Sequence, residues 1–439
     1  MRMRRRPVSG LTAALILLFL FAWSPTLAAS LDPTEARIVE AVDKQSEEAI
    51  AALEQLVNIN SGTMNPEGIR RVGAYFEREL GALGFATRWI EQPAELERGD
   101  HLFAELQGNR GKRILMIGHL DTVFEPDSPF QYFRREGDIG YGPGTEDMKG
   151  GNLVILFALK ALRDAGALDN TQIIVALTGD EENPGKPVAV SRQDLIEAGR
   201  RSDIALGFEA AVRDISTATI ARRGASFWTL RVTAKRAHSS GIFDDSNGAG
   251  AIFEASRILD AFYSQIRGEQ YLTFNPGVIL GGTSIDYDPQ ANRGTAFGKT
   301  NIIAENAVVH GDLRFLSEEQ KERTREAMRA IVALSLPGAE AEISFEDGYP
   351  AMFPSQGNHD LLAQFESVSR DLGFGELEVL DPGERGAADI SFVAADVEAG
   401  LAGLGPVGWK GHTVDEHVDL TTLAVNAKRV AVLVYRLTR

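Results

Sequence analysis

Three short apolar runs constrain the fold of this chain more than any other feature. They cover residues 113–117, 172–177 and 204–208, and segments with helical spacing of apolar residues lie around and between them. Strands that alternate with helices predict an α/β fold with a mostly parallel sheet and helices on both faces. In such sheets, sites form beyond the carboxyl ends of the strands. The residues just after these runs are therefore the first candidates for chemistry.

Each predicted strand is followed by residues that can bind a metal or move a proton. A glycine-rich loop at residues 137–151 adds one more carboxylate directly before an apolar helical pattern. The chain contains no cysteine, so a metal site has to use histidine and carboxylate ligands. In a His-x-Asp pair the histidine can ligate while the aspartate accepts its other ring N–H. The candidates are His119, Asp121, Asp147, Glu181, Glu182 and Glu209.

Length and charge exclude some classes of protein. With 439 residues, two domains are expected. The net charge of −17 argues against nucleic acid as a partner, because phosphate binding needs a basic face. An acidic surface suits a protein that holds divalent cations, although solubility alone explains it as well.

The N-terminus has the layout of a signal peptide. Residues 1–6 are basic, residues 11–23 form an apolar run too short to span a bilayer comfortably, and small residues follow. We expect a signal peptide at residues 1–29, cleavage near Ala28 or Ala29, and export, most simply to a bacterial periplasm. The consecutive arginines leave the twin-arginine route open beside the general one, and an uncleaved membrane anchor is the alternative interpretation.

The pattern of elements changes near residue 222. From there to residue 348 the predicted order is βαββαβ, which is typical of a small ferredoxin-like domain. We therefore predict a catalytic domain in two parts, residues 30–221 and 349–439, with a lid or dimerisation domain inserted at residues 222–348. In the second part, the loop at residues 403–419 contains His412 and His417.

The motifs, taken together and in order, resemble one known family. The chain has H-x-D, then G-x-G-x-x-D-M-K-G-G, G-D-E-E-x-x-G, F-E and G-H-x-x-x-E. This combination is similar to the zinc-dependent peptidases that include glutamate carboxypeptidase, succinyl-diaminopimelate desuccinylase, acetylornithine deacetylase and aminoacylase-1. The likeness covers nearly all of the predicted mature chain, and the layout most resembles glutamate carboxypeptidase.

The resemblance implies a role for each residue of the metal centre. Two Zn²⁺ ions per chain are implied, with Co²⁺ or Mn²⁺ as alternatives, and a hydroxide that bridges the zincs as the nucleophile. Glu181 is the implied general base, and Asp121 orients a ligating histidine. One zinc would be held by His119 and Glu209, the other by Glu182 and His412, and Asp147 would bridge the two.

The resemblance also assigns residues of the inserted domain. The family histidine that matches His238 stabilises the oxyanion and often reaches into the partner subunit's site, so a homodimer through the inserted domain is implied. Asn301 and Arg314 match positions that hold the substrate carboxylate or the oxyanion. The chain departs from the family at Tyr349, where glutamate carboxypeptidase has an arginine, and this weakens the case for glutamate specificity. It also departs at Ala304, where proline is usual.

The sequence thus predicts an exported di-zinc hydrolase of the carboxypeptidase type that acts on a small peptide or an N-acyl amino acid. The nearest rivals are an N-acyl-amino-acid deacylase or desuccinylase, and an aminopeptidase. A rival of another class is a periplasmic binding protein that kept the fold and lost catalysis, although ligand holding does not need Glu181. No nucleic acid and no membrane association after signal cleavage are expected.

Overall fold

The computed structural model describes residues 31–289 and 291–439, so the predicted signal peptide lies outside the described residues. In the described part of the chain, no helix is long and apolar enough to cross a membrane. Its helices are α1 (Pro33–Val57), α2 (Pro66–Ala82), α3 (Lys149–Asp164), α4 (Val188–Ser191), α5 (Gln193–Arg200), α6 (Ala251–Gln265), α7 (Glu318–Val332), α8 (Gln356–Asp371) and α9 (Thr421–Thr438).

The strands fall into several sheets, which are described below. Their bounds in chain order are β1 (Ala86–Ile90), β2 (His101–Leu106), β3 (Arg110–His119), β4 (Arg134–Glu136), β5 (Ile139–Tyr141), β6 (Thr171–Thr178), β7 (Ile204–Gly207), β8 (Thr217–Ala218), β9 (Gly224–Ala234), β10 (Thr273–Gly282), β11 (Ser284–Asp288), β12 (Arg293–Phe297), β13 (Asn306–Phe315), β14 (Ala339–Asp347), β15 (Glu378–Val379), β16 (Ala399–Leu401), β17 (Gly408–Trp409) and β18 (His417–Asp419).

The central sheet has the strand order β1-β2-β6-β3-β7-β16. Four neighbouring strands of this sheet, β6, β3, β7 and β16, are parallel to one another. At one edge, β2 pairs antiparallel with β6, and β1 pairs antiparallel with β2. Alternate residues of β3 enter two different hydrophobic clusters. Ile114 and Met116 pack with residues of α1, α3 and α9, while Leu115 and Ile117 pack with residues of α5 on the opposite face. The sheet is therefore covered on both faces, which confirms the predicted fold class.

A second sheet, of order β10-β13-β9-β14, is antiparallel throughout. The helices α6 and α7 pack on one of its faces, over a separate hydrophobic cluster that includes Trp228, Phe262 and Val309. This is the predicted βαββαβ order, and residues 224–347 contain all of it. The boundaries that we predict at residues 222 and 348 stay a prediction.

One predicted strand is wrong in extent. The sequence indicates a single strand over residues 278–285, but β10 ends at Gly282 and the hairpin β11–β12 begins at Ser284. At the break, Gly282 lies against the backbone of Phe297, where a side chain would collide with the carbonyl oxygen. The chain therefore leaves the second sheet at this glycine, and the hairpin is an insertion that the apolar pattern does not reveal.

A small antiparallel sheet of order β17-β18-β5-β4 joins two parts of the chain that are distant in sequence. It brings the loop after β17, which carries His412, against the loop after β5, which carries Asp147. The pairing of His417 in β18 with Tyr141 in β5 fixes the register. This sheet therefore positions the last predicted ligand beside the first group of ligands.

Candidate metal centre

Three neighbouring parallel strands bring the predicted ligands to one edge of the central sheet. The order β6-β3-β7 places β3 in the middle, and β3 ends at His119. Glu182 follows β6 after a turn, and Glu209 follows β7. Since parallel strands have their carboxyl ends at the same edge, residues that are far apart in sequence meet there.

Asp147 lies between two histidines. One carboxylate oxygen is 3.0 Å from Nε2 of His119, and the other is 3.1 Å from Nε2 of His412. His412 Nε2 is also 3.1 Å from Oε2 of Glu182. The structure thus brings together four of the five predicted ligands, with Asp147 in the central place that the sequence comparison implied for it.

This cluster fits a divalent cation. Ligand atoms of His119, Asp147 and Glu182 all lie within 4.8 Å of one another. The second carboxylate oxygen of Glu182 is buried and has no hydrogen-bond partner in the described part of the chain. A buried carboxylate oxygen without a donor is costly, and a cation would satisfy it. Imidazole and carboxylate are also the ligands that zinc uses when thiolates are absent.

Asp121 holds the strand-end residues in register. It is fully buried, and its carboxylate accepts the backbone N–H groups of Glu181 and Glu182 at 3.0 and 3.1 Å. The hydroxyl of Thr63 donates to it at 2.7 Å. Its Oδ1 atom is also 3.3 Å from Nδ1 of His119. One side chain therefore orients the ring of a ligand and fixes the backbone of the two glutamates.

Glu181 is held from both sides of its peptide unit. Its carbonyl oxygen accepts a hydrogen bond from the hydroxyl of Tyr349 at 2.9 Å, and this hydroxyl accepts one from Arg192 at 3.1 Å. Burial raises the pKa of Glu181 well above its ordinary value, and nearby carboxylates such as Glu209 raise it further. A carboxyl group whose pKa is raised binds a proton more readily, which suits a group that takes up and releases a proton.

Arg192 anchors the turn that carries Glu181. It is fully buried, and it forms ion pairs with Asp180 and, at 2.6 Å, with Asp389. The Asp180 carboxylate also accepts the N–H of Gly185 at 2.9 Å, which closes the turn. The buried charges are thus paired with each other, as burial requires.

Glu209 is the one predicted ligand that the structure places with other partners. Its Oε2 atom pairs with Nη2 of Arg222 and, at 3.0 Å, with Nη2 of Arg385. Glu209 and His119 line the same small cavity, but no hydrogen bond or ion pair joins them in the described part of the chain. Its role as a zinc ligand therefore stays a prediction.

Glu416 is a site residue that sequence reasoning missed. Its buried carboxylate accepts the backbone N–H of Glu146 at 3.0 Å and that of Asp147 at 3.3 Å. Burial, reinforced by the nearby Asp147 charge, raises the pKa of Glu416 to about 8. Its position four residues after His412 was the available signal. Arg222 and Arg385 were missed as well, and no local pattern marks an arginine that will be buried.

The three predicted site residues of the inserted segment, residues 224–347, lie apart from this cluster. His238 is exposed, and its Nδ1 atom is 2.9 Å from the hydroxyl of Ser240. The backbone carbonyl of Asn301 accepts the N–H of Ser239, which places Asn301 beside His238. Arg314 pairs with Asp312 at 2.8 Å. Within the described ranges, no hydrogen bond or ion pair joins these three side chains to the metal-centre residues.

A family model and curated proteins both match most of this chain. The model of the family described as Peptidase family M20/M25/M40 matches residues 115–436. Carboxypeptidase G2 of Pseudomonas sp. (strain RS-16) is 28% identical over 389 residues, which are 88% of this chain and 88% of the relative. A succinyl-diaminopimelate desuccinylase of Gluconacetobacter diazotrophicus is 25% identical over 352 residues, 78% of this chain and 86% of the relative.

Solved structures share the fold. An M20 family metallo-carboxypeptidase from Sulfolobus solfataricus has a TM-score of 0.62 and 18% identity, with 89% of this chain and 99% of that chain covered. A dinuclear metal-binding peptidase of the M20 family from Bacillus subtilis has a TM-score of 0.61 and 14% identity, with 90% and 99% covered. At these identities the likeness concerns the architecture alone.

Proposed function

Because this chain belongs to peptidase family M20/M25/M40, we propose that it is a carboxypeptidase-type exopeptidase that hydrolyses an amide bond next to a carboxylate-bearing residue. The membership confirms the family that the motifs predicted, and it makes the chain a metallohydrolase. The observation that carries the proposal is the cluster of His119, Asp147 and Glu182 beside Glu181, at the carboxyl ends of parallel strands.

We propose that the centre holds two Zn²⁺ ions. His119, Asp147, Glu182 and His412 would hold them, together with Glu209, whose arginine partners both contact Oε2 and leave the other carboxylate oxygen for a metal. A bound divalent cation supplies a Lewis acid that polarises a carbonyl group and lowers the pKa of water. A dinuclear relative among the solved structures supports the stoichiometry.

The side chains of this protein would handle the proton and the alignment. Glu181 takes a proton from water at its carboxylate and passes it to the nitrogen of the departing amine. Asp121 accepts the backbone N–H of Glu181, and Tyr349 donates to its backbone carbonyl, so the carboxylate keeps one direction during both proton transfers. Fixed placement of this kind lowers the entropic cost of reaching the reactive geometry.

The second candidate function is N-acyl-amino-acid deacylation or desuccinylation. The likeness to succinyl-diaminopimelate desuccinylases over 78% of this chain favours it. Three substrate sets separate the alternatives: peptides with a free C-terminus, the same peptides with a blocked N-terminus, and N-acyl amino acids. Turnover of N-blocked peptides supports the carboxypeptidase, turnover of N-acyl amino acids alone supports the deacylase, and a requirement for a free N-terminus indicates an aminopeptidase.

The test of the mechanism is Glu181→Gln in the zinc-loaded protein. We expect about 100- to 10,000-fold lower kcat, because a general base contributes that much, while the metal content measured by atomic emission stays the same. Glu54→Gln, an exposed position on α1, is the matched control. Unchanged turnover in Glu181→Gln would contradict the assignment, and tight substrate binding without turnover in the wild type would favour the binding protein.

We also propose export of the mature chain. The basic start, the short apolar run and the small residues after it support this proposal. N-terminal sequencing of protein recovered from a periplasmic extract tests it, with a new N-terminus directly after Ala28 or Ala29 as the expected result. Recovery of the intact N-terminus in the membrane fraction would instead indicate an uncleaved anchor.

A further inference from the structure

Two guanidinium groups converge on one carboxylate oxygen at the edge of the metal centre. Arg222 and Arg385 each direct an Nη2 atom to Oε2 of Glu209. No sequence motif predicts a role for either arginine. The pair shares this single carboxylate as its ion-pair partner, and the charges of Asp147 and Glu146 also act on Arg385.

The two arginines differ in what else they bond. Arg222 is 2% exposed, and its Nη1 atom donates to the backbone carbonyls of Gly386 and Ala387 at 3.4 and 3.2 Å. It therefore holds the turn that Arg385 belongs to. Arg385 is 14% exposed, and Glu209 is the one hydrogen-bond partner of its guanidinium in the described part of the chain. Both arginines have an Nε–H group without a partner in the described part of the chain, but Arg222 has a structural task, whereas Arg385 has some access to solvent.

The Nε–H group of Arg385 is buried and has no partner in the described ranges. The guanidinium group of an arginine is charged at neutral pH. A buried donor of a charged group that lacks an acceptor is costly. An anion that reached Arg385 would supply the missing acceptor.

The other side chains that could bind an anion near the site already have hydrogen-bond or ion-pair partners. Arg314 pairs with Asp312 in the second sheet. The hydroxyl of Tyr349, which stands where the resemblance led us to expect an arginine, is held between Arg192 and the carbonyl of Glu181. Arg385 is partly exposed, has an unpaired N–H group and contacts Glu209, a predicted ligand. Arg222 is not exposed to solvent in this way, and Arg314 does not contact a predicted ligand.

We propose that Arg385 binds the carboxylate of the substrate, with Glu209 and Arg222 holding its guanidinium in place. A planar guanidinium can bind a carboxylate through two parallel hydrogen bonds. The inference rests on the proposed function for the reaction, and it names the residue that recognises the substrate. The carboxylate has two sources, the α-carboxylate of the departing amino acid and a carboxylate on the acyl group.

The experiment compares Arg385→Ala with the wild type on paired substrates. In one pair the α-carboxylate is replaced by a carboxamide, and in the other the acyl-side carboxylate is replaced in the same way. We expect the wild type to prefer one carboxylate substrate, and Arg385→Ala to lose that preference through a decrease of about 10- to 100-fold in kcat/KM. The pair in which the preference disappears identifies the source of the carboxylate.

Matched variants decide between binding and structure. Arg213→Ala removes an exposed guanidinium that pairs with Glu384 in the same turn, and it should keep the preference. Arg385→Lys should recover part of it, since an ammonium supplies charge without the fork. An equal decrease of kcat/KM on both members of each pair would mean a structural role. Loss of the preference in Arg314→Ala, with Arg385→Ala unaffected, would also overturn the proposal.

A binding measurement keeps this inference separate from the proposed reaction. Calorimetry of the zinc-loaded protein with an N-succinyl amino acid, its α-carboxamide and its acyl-side carboxamide does not depend on turnover. Weaker binding of the acid to Arg385→Gln, with no change for one of the amides, supports the carboxylate subsite even if no substrate is hydrolysed. Equal binding of the acid to both proteins would overturn it, provided that metal content and thermal melting match.

Discussion

At the scale of single residues, the candidate site depends on side chains that serve two purposes at once. Asp121 accepts two backbone N–H groups and also contacts the ring of His119. Tyr349 donates to the carbonyl of Glu181 and accepts from Arg192. The His-x-Asp spacing in the sequence predicted the contact between Asp121 and His119. The sequence could not predict the hydrogen bond between Tyr349 and Glu181, because these two residues are 168 positions apart.

Tyr349→Phe should lower kcat about fivefold and leave KM and metal content almost unchanged. The reason is that one hydrogen bond contributes about 1 kcal/mol and that this one orients Glu181 without reaching the substrate. Steady-state kinetics and metal analysis check it. Tyr271→Phe, whose exposed hydroxyl lies 3.5 Å from Asp381, is the control. A rise in KM alone would show that Tyr349 acts on binding instead.

At the scale of secondary-structure elements, strand ends and glycine positions set the geometry. Gly151, in the first turn of α3, lies against the carbonyl oxygen of Phe208, which a side chain would meet at 1.8 Å. Helix α3 can therefore approach the end of β7, and this brings the Asp147 loop close to the other ligands. The sequence analysis predicted the glycine-rich loop, and the fold supplies the neighbour that makes the glycine necessary.

His101, the first residue of β2, makes the stability of the turn before Glu181 depend on pH. Its buried ring accepts the N–H of Gly179 through Nδ1 at 2.9 Å, so the proton is on Nε2, which donates to the carbonyl of Ser191. Burial lowers the pKa of His101, and protonation would remove the acceptor for Gly179. The ring therefore stabilises the fold in its neutral form.

The sign follows from proton binding. Below about pH 6.5 the unfolded chain binds a proton at His101, whereas the folded protein does not. The contribution of His101 to the free energy of unfolding is therefore complete above that pH. It decreases as the pH falls toward the pKa of His101 in the folded protein. We expect the wild type to lose more stability between pH 8 and pH 5.5 than His101→Asn does, at most about 1.4 kcal/mol per pH unit. Urea unfolding at both pH values measures it, and equal losses would refute the interpretation.

At the scale of the whole molecule, the inserted segment at residues 224–347 carries a predicted site residue, His238, that lies apart from the metal centre. His238 is exposed and has no hydrogen bond to the cluster within the described ranges. The family resemblance suggests that this histidine acts in the site of a partner subunit. We therefore expect two inactive variants, His238→Ala and Glu181→Gln, to complement each other when they are co-expressed with different tags.

In the mixed dimer, one site combines the intact Glu181 of one chain with the intact His238 of the other. Random pairing makes half of the dimers mixed, each with one complete site, so activity should return to about a quarter of the wild-type level. The unfractionated mixture tests this value, and the purified doubly tagged dimer, which has one complete site of two, should show about half of the wild-type activity. Each variant alone is the control. No recovery in a purified mixed dimer would show that His238 serves its own subunit or has no catalytic role.

The sequence by itself determined the α/β class, the inserted βαββαβ unit and the family, because apolar periodicity and motif spacing are local properties that survive without coordinates. It also pointed to His119, Asp147, Glu182 and His412, which the fold brings together. Only the tertiary structure decided the partners of Glu209, the burial of Glu416 and the unpaired donor of Arg385. Which charges meet depends on how distant segments pack, and desolvation then determines how strongly those charges act.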